Sequence, residues 1–211
     1  MISRNILLVP LCLLVAACAT TAPQQKEQAQ IQIQEQVGFT ISEPVRVSDA
    51  VRAEYERAML LLEQGSLEGG ITVLEQVVVD APDVSGPRID LGIAYHRKGD
   101  LETAEQQLQT ALGLNPEHPV ALNELGIIQR KTGRFSEARR SYEAALAVFP
   151  GYHHARRNLG VLCDLYLADL ECALNSYQAY MQTVPEDPQA SMWIADLQMR
   201  MGRKECSWID Y

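Results

Sequence analysis

Five cysteines and four histidines are the side chains in this 211-residue chain most able to do chemistry. None of His96, His118, His153 or His154 belongs to a His-Glu-x-x-His zinc helix or stands beside a Gly-x-Ser-x-Gly nucleophile turn. His153 and His154 are adjacent, so on a helix they point about 100° apart and read as a solvated pair rather than two ligands of one ion. The cysteines lack the paired spacing of a structural zinc site. The glycines fall at regular intervals rather than in a phosphate-binding loop. No catalytic residue, metal site or cofactor is therefore expected, and an enzyme would need a convergent polar pocket that the sequence does not offer. A net charge of −9 argues against a protein that grips nucleic-acid backbones. Mean hydropathy of −0.11 excludes a polytopic membrane protein.

Cysteine 18 is different. Arg4 precedes a mostly apolar run from Ile6 to Ala17, interrupted by Pro10. That run is too short to span a bilayer, which takes about 20 residues, and it fits the apolar region of a secretory signal. It ends in Val15-Ala16-Ala17-Cys18. This resembles the bacterial lipoprotein box, in which the cysteine thiol takes a diacylglycerol and the signal is cut before it. Cys12 does not compete, because Leu11 stands where the peptidase needs a small residue. Ala19 follows where Asp tends to retain Gram-negative lipoproteins at the inner membrane, so the resemblance implies the outer membrane, facing the periplasm. Residues 1–17 are then a signal peptide, and Cys18 anchors the chain through lipid, including palmitate.

Residues 18–48 change character. Seven glutamines lie between Gln24 and Gln36, with Pro23, Gly38 and Pro44 and few large apolar side chains. Such a stretch buries too little surface to offset its ordering entropy, which predicts a flexible tether. About 30 residues of flexible chain have a root-mean-square span of roughly 30 Å. The Ile31-Gln32-Ile33-Gln34 alternation could instead form a strand on a partner's sheet edge.

The elements downstream must be repetitive. Pro82, Pro116 and Pro150 are 34 residues apart, as are Gly65, Gly99 and Gly133. Leu91-Gly92, Leu125-Gly126 and Leu159-Gly160 keep the same step. Residues 85–118 add Tyr95, Ala104, Leu108 and Pro116; residues 119–152 add Ala138, Tyr142, Ala145 and Pro150. This pattern resembles the tetratricopeptide repeat (TPR) and spans about two thirds of the chain. The resemblance implies an all-α solenoid of about four helix-turn-helix units with a C-terminal capping helix, over residues 49–203. In the flanking unit 51–84 the Leu-Gly pair becomes Arg57-Ala58. The fourth unit carries one extra residue between Cys163 and Ala173. Ala190 to Met201 reads as the amphipathic cap, and 204–211 as a tail.

In this family the first helix of each unit lines a concave groove. Carried onto this chain, the groove positions give Ile93 in the second unit and Asn123, Ile127, Arg130 and Lys131 in the third. The fourth contributes His154, Arg157 and Val161. Residues 119–160 hold seven basic and three acidic side chains, so that window is +4 while the rest of the chain sums to −13. The groove is expected to be basic in its middle over an apolar floor, suiting an acidic peptide. Chaperone adaptors of this fold clamp a terminal carboxylate with Lys, Asn and Arg; Asn123, Arg130 and Arg157 supply only part of such a set.

An oxidising compartment makes the remaining thiols disulfide candidates. Cys163 near the end of one helix and Cys172 near the start of the next lie opposite each other across the turn. Cys172 with Cys206 is the rival pairing, and a free buried thiol the other alternative. The resemblance implies a non-enzymatic protein–protein interaction scaffold. Its general layout is similar to the pilotin lipoproteins of type IV pilus systems, which help secretin subunits reach the outer membrane. An adaptor for peptidoglycan hydrolases or synthases, or part of a trans-envelope energy-transducing complex, are the alternatives. The expected partners are envelope proteins and the membrane through the lipid, with self-association through terminal helices also open.

Overall fold

The computed structural model describes residues 29–34 and 38–202. The signal sequence, Cys18, Cys206 and the 204–211 tail lie outside the described residues. Two short strands, β1 (Gln30–Gln34) and β2 (Gly38–Ser42), form an antiparallel pair with Ile31 opposite Ile41 and Ile33 opposite Phe39. Nine helices follow among the described residues: α1 (Asp49–Glu63), α2 (Leu67–Asp80), α3 (Ser85–Lys98), α4 (Leu101–Leu114), α5 (Pro119–Lys131), α6 (Phe135–Val148), α7 (His153–Leu165), α8 (Leu170–Thr183) and α9 (Pro188–Arg200).

Consecutive helices pack as hairpins α1–α2, α3–α4, α5–α6 and α7–α8, and α9 closes the stack on α8. The first helices also touch each other, α3 against α5 and α5 against α7, so they make one layer and the second helices the other. Each pair buries one large side chain at the same register of its second helix: Leu74, Leu108, Tyr142 and Tyr177 are all 2% exposed or less. Burying a side chain of that size stabilises by about 1.5–3 kcal/mol. No pair could cover these alone, so the stack is the core.

Helix starts are set by local acceptors. Asp100 accepts from Thr103 N at 3.0 Å, Asp169 from Cys172 N at 3.1 Å, and the His118 ring from Ala121 N at 3.4 Å. Such caps satisfy amide hydrogens that have no partner inside the helix. Turns within the first three pairs place Gly65, Gly99 and Gly133 in the left-handed region, at φ 82°, 93° and 79°. The fourth pair has Ala168 there, at φ 53°, offset by its one extra residue. A disulfide between Cys163 and Cys172, with Cα atoms 5.8 Å apart, spans that turn.

The segment expected to be a featureless tether differs. Burial alternates from residue 39 to 43, with Phe39, Ile41 and Glu43 turned toward the helices and Thr40 and Ser42 exposed. Phe39 meets Phe149 and Tyr152 edge-on, with ring centroids 5.3 and 5.8 Å away. Glu43 accepts from Ser85 N at 2.9 Å and from the Ser85 hydroxyl. The alternation Phe-x-Ile-x-Glu is a two-residue period, and the array itself supplies its second face.

Candidate interaction face

The layer of first helices carries the residues singled out in the sequence. Ile93, Ile127 and Val161 are half-buried at one register on α3, α5 and α7. His154, Arg157 and Lys131 are exposed, whereas Arg130 is half-buried. The Arg130 guanidinium stands 5.5 Å from the centre of the Tyr166 ring and donates to its hydroxyl at 3.3 Å. Phe135 backs the same ring at 4.9 Å. Arg157 lies 5.4 Å from the Trp193 ring, which in turn packs on Tyr177. Both cations thus rest on aromatic faces, a contact worth about 0.5–1 kcal/mol at exposed sites.

Asn123 takes a different place from the expected one. It is 2% exposed, accepts from Asn158 at 2.9 Å and donates to Glu124 at 3.0 Å. Both ends of its amide are engaged between α5 and α7, so it links neighbouring units and is not offered to a ligand. The Tyr55 hydroxyl donates to Asp90 at 2.5 Å across α1 and α3, at the same register step of 35 residues. At the intervening junction the register partner of Glu124 is Ile89, which has no hydrogen to donate.

Asp90, Glu124 and Asn158 therefore form a polar row along this layer. The family's groove positions do not include this row. The 34-residue spacing of its members was the available signal. Burial pushes the carboxyls of Asp90 and Glu124 upward, partly opposed by the hydrogen bonds from Tyr55 and Asn123. His96, 4.0 Å from Glu124, is pushed downward by burial and by Lys131 and Arg130. Both shifts disfavour the charged forms, which weakens this contact as an ion pair. His154 is likewise lowered, by burial, His153 and Arg157.

The basic window of the sequence also divides between the layers. Arg134 pairs with Glu105 at 2.5 Å and Arg139 with Asp169 at 3.1 Å, both beside second helices. Lys131 and Arg157 remain exposed on the first-helix layer. Among the described residues, one cluster has the makings of a metal site: Cys163, Asp169 and Cys172. Its two sulfurs are already joined to each other. No described helix is long and apolar enough to cross a membrane.

Residues 83–151 match the family model of the tetratricopeptide repeat. The fold is the tetratricopeptide-repeat solenoid. MamA from Desulfovibrio magneticus RS-1 superposes with a TM-score of 0.66 at 22% identity, over 75% of this chain and 89% of that one. Pseudomonas aeruginosa pilF superposes with a TM-score of 0.66 at 18% identity, over 73% of this chain and 70% of that one. A chain of the APC/C Cut9–Hcn1 hetero-tetramer gives 0.64 at 18%, over 72% of this chain and 30% of that one. At these identities the likeness is one of fold. No curated protein matches the sequence. Tetratricopeptide arrays are as a class protein–protein interaction scaffolds, typically without enzymatic activity.

Proposed function

We propose that this chain is an outer-membrane lipoprotein, anchored at Cys18 and facing the periplasm, whose tetratricopeptide array holds an envelope protein during assembly of a pilus- or secretion-type machine. The anchoring and location rest on the Val15-Ala16-Ala17-Cys18 box with Ala19 behind it. The machine rests on the general layout and on the shared fold with pilF.

One observation carries the binding role. Exposed Lys131, His154 and Arg157 rim the half-buried Ile93, Ile127 and Val161 on a single helix layer. That arrangement suits a segment with aliphatic anchors and carboxylates, because the apolar floor supplies affinity while the cations set orientation and encounter rate. Arg157 stands exposed on α7 and Lys131 at the end of α5, so the partner's carboxylates would lie toward that end of the layer.

The test is crosslinking and capture from detergent-solubilised envelopes, comparing wild type with Lys131→Glu/Arg157→Glu. Both side chains are exposed, so folding should be retained. Loss of one abundant protein from the variant's captured set is the expected result; an unchanged set removes the groove from the function. Cys18→Ala should leave the outer-membrane fraction, and normal fractionation of that variant would sink the lipoprotein assignment.

A further inference from the structure

A second surface lies outside the concave groove, along the rim where the first helices begin. The strap of residues 38–47 crosses it. Phe39 sits on Phe149 and Tyr152 beside the start of α7, and Glu43 caps Ser85 at the start of α3. The Glu43 side chain and the His118 ring at the start of α5 line the same cleft. Three units are therefore read by one extended segment with an aromatic, an aliphatic and an acidic side chain at alternate positions.

The strap fits this seat incompletely. None of its side chains is fully buried, and Val45 is 39% exposed. A cleft of about 320 Å³ remains open between the strap, α1, the end of α2 and the start of α3. Its walls are largely aliphatic, including Ile41, Val51, Val77 and Val84, with Arg52 and Tyr55 beside them. The cleft is partly open to solvent, and the strap covers its aliphatic walls only in part.

We infer that this rim is a peptide-binding surface for a partner protein, and that the strap is its exchangeable resident. The ligand is an extended segment reading aromatic-x-aliphatic-x-acid, whose following residues fill the open aliphatic cleft better than Val45 and Val47 do. Its carboxylate takes the Ser85 amide and hydroxyl from Glu43, and its aromatic ring takes the Phe149–Tyr152 surface from Phe39. The inference is independent of the groove reading, since Lys131 and Arg157 take no part in it. Displacement returns residues 29–47 to the chain that precedes the array, about 60 Å of additional reach when extended.

The test uses the full mature chain and a fluorescein-labelled synthetic peptide of residues 38–47, followed by fluorescence anisotropy. A resident segment lowers apparent affinity in proportion to the time it occupies the seat. Phe39→Ala/Glu43→Gln should therefore bind the peptide at least about tenfold more tightly than wild type. An unlabelled peptide with its phenylalanine and glutamate replaced by alanine and glutamine should fail to compete. Equal binding by wild type and variant, or full competition by the altered peptide, overturns the proposal. A second reading needs no variant: saturating peptide should speed amide exchange at residues 39–43 of wild type, and unchanged exchange overturns it. A wild-type dimer that Phe39→Ala/Glu43→Gln dissociates would assign the seat to a second copy's strap and overturn it equally.

Discussion

Gly126→Ala adds one methyl group where the two helices of the third unit come closest, and the structure gives the scale of its effect. A Cβ at Gly126 would stand 2.5, 2.7 and 3.0 Å from three ring carbons of Tyr142. Ordinary carbon contacts are about 3.5–4.0 Å, so ring or helix must move by about 1 Å. Tyr142 is 0% exposed, so its ring cannot swing out into solvent to make room. Overpacking of this kind costs about 1–3 kcal/mol. Alanine returns up to about 1 kcal/mol as the better helix former. The net loss should be about 1–2 kcal/mol, or about 4 °C in melting temperature for a protein of this size.

The assay is equilibrium urea unfolding followed by far-ultraviolet circular dichroism, run as a cycle with Tyr142→Leu. With the ring gone, the alanine should cost nothing or stabilise. Gly113→Ala is the internal control, because Gly113 lies in α4 with nothing within 4 Å of its added Cβ. It should stabilise by about 0.5–1 kcal/mol through propensity alone. Equal costs of Gly126→Ala in both backgrounds would refute the clash, and a stabilising Gly126→Ala in wild type would refute the whole account of close approach.

Ala168→Gly should raise the melting temperature by a few degrees, because it relieves about 1 kcal/mol of left-handed strain at φ 53°; an unchanged or lower value would remove strain from the description of that turn. Cys163→Ala/Cys172→Ala should lose about 2–3 kcal/mol for a loop of this length. Reductant should destabilise wild type by a similar amount and leave that variant unaffected, and reductant-insensitive wild type would contradict the bridge. Burial lowers the His118 imidazole from 6.5 to about 4. Its neutral ring therefore contributes stability that is complete above pH 6.5 and is lost as pH falls toward 4, about 3 kcal/mol as a ceiling. His118→Asn keeps a capping acceptor for Ala121 and should flatten that part of the stability–pH curve; a curve of unchanged slope would show that His118 is not the group responsible.

The period of the array was legible because tetratricopeptide packing imposes the same steric demand at each step. A small residue must stand opposite a bulky one, so Gly126 faces Tyr142 and Gly160 faces Tyr177, each with a prospective Cβ at 2.5 Å from the ring. The one-residue insertion before Ala173 was visible for the same reason, as a break in spacing. The chemical state of the groove was less legible. A family position says which way a side chain points, not how deep it lies. Whether Asn123 is a ligand contact or a link depends on residue 158 of the next unit, which happens to be another amide.

Composition reads residues 18–48 as tether, because a stretch with so few large apolar side chains cannot build a core of its own. That argument is sound for an isolated segment and fails when the array supplies the other half. Residues 39–43 need only three contacts, an aromatic surface at Phe149 and Tyr152, an aliphatic wall, and a free helix start at Ser85. None of these is encoded in the strap. Because the burial is shared between two parts of the chain, a better-fitting external segment can compete with the strap for the same seat. An intramolecular segment holds its seat through high local concentration rather than through close fit. The open cleft beside Val45 and Val47 is where a competitor would gain the contacts that offset this advantage.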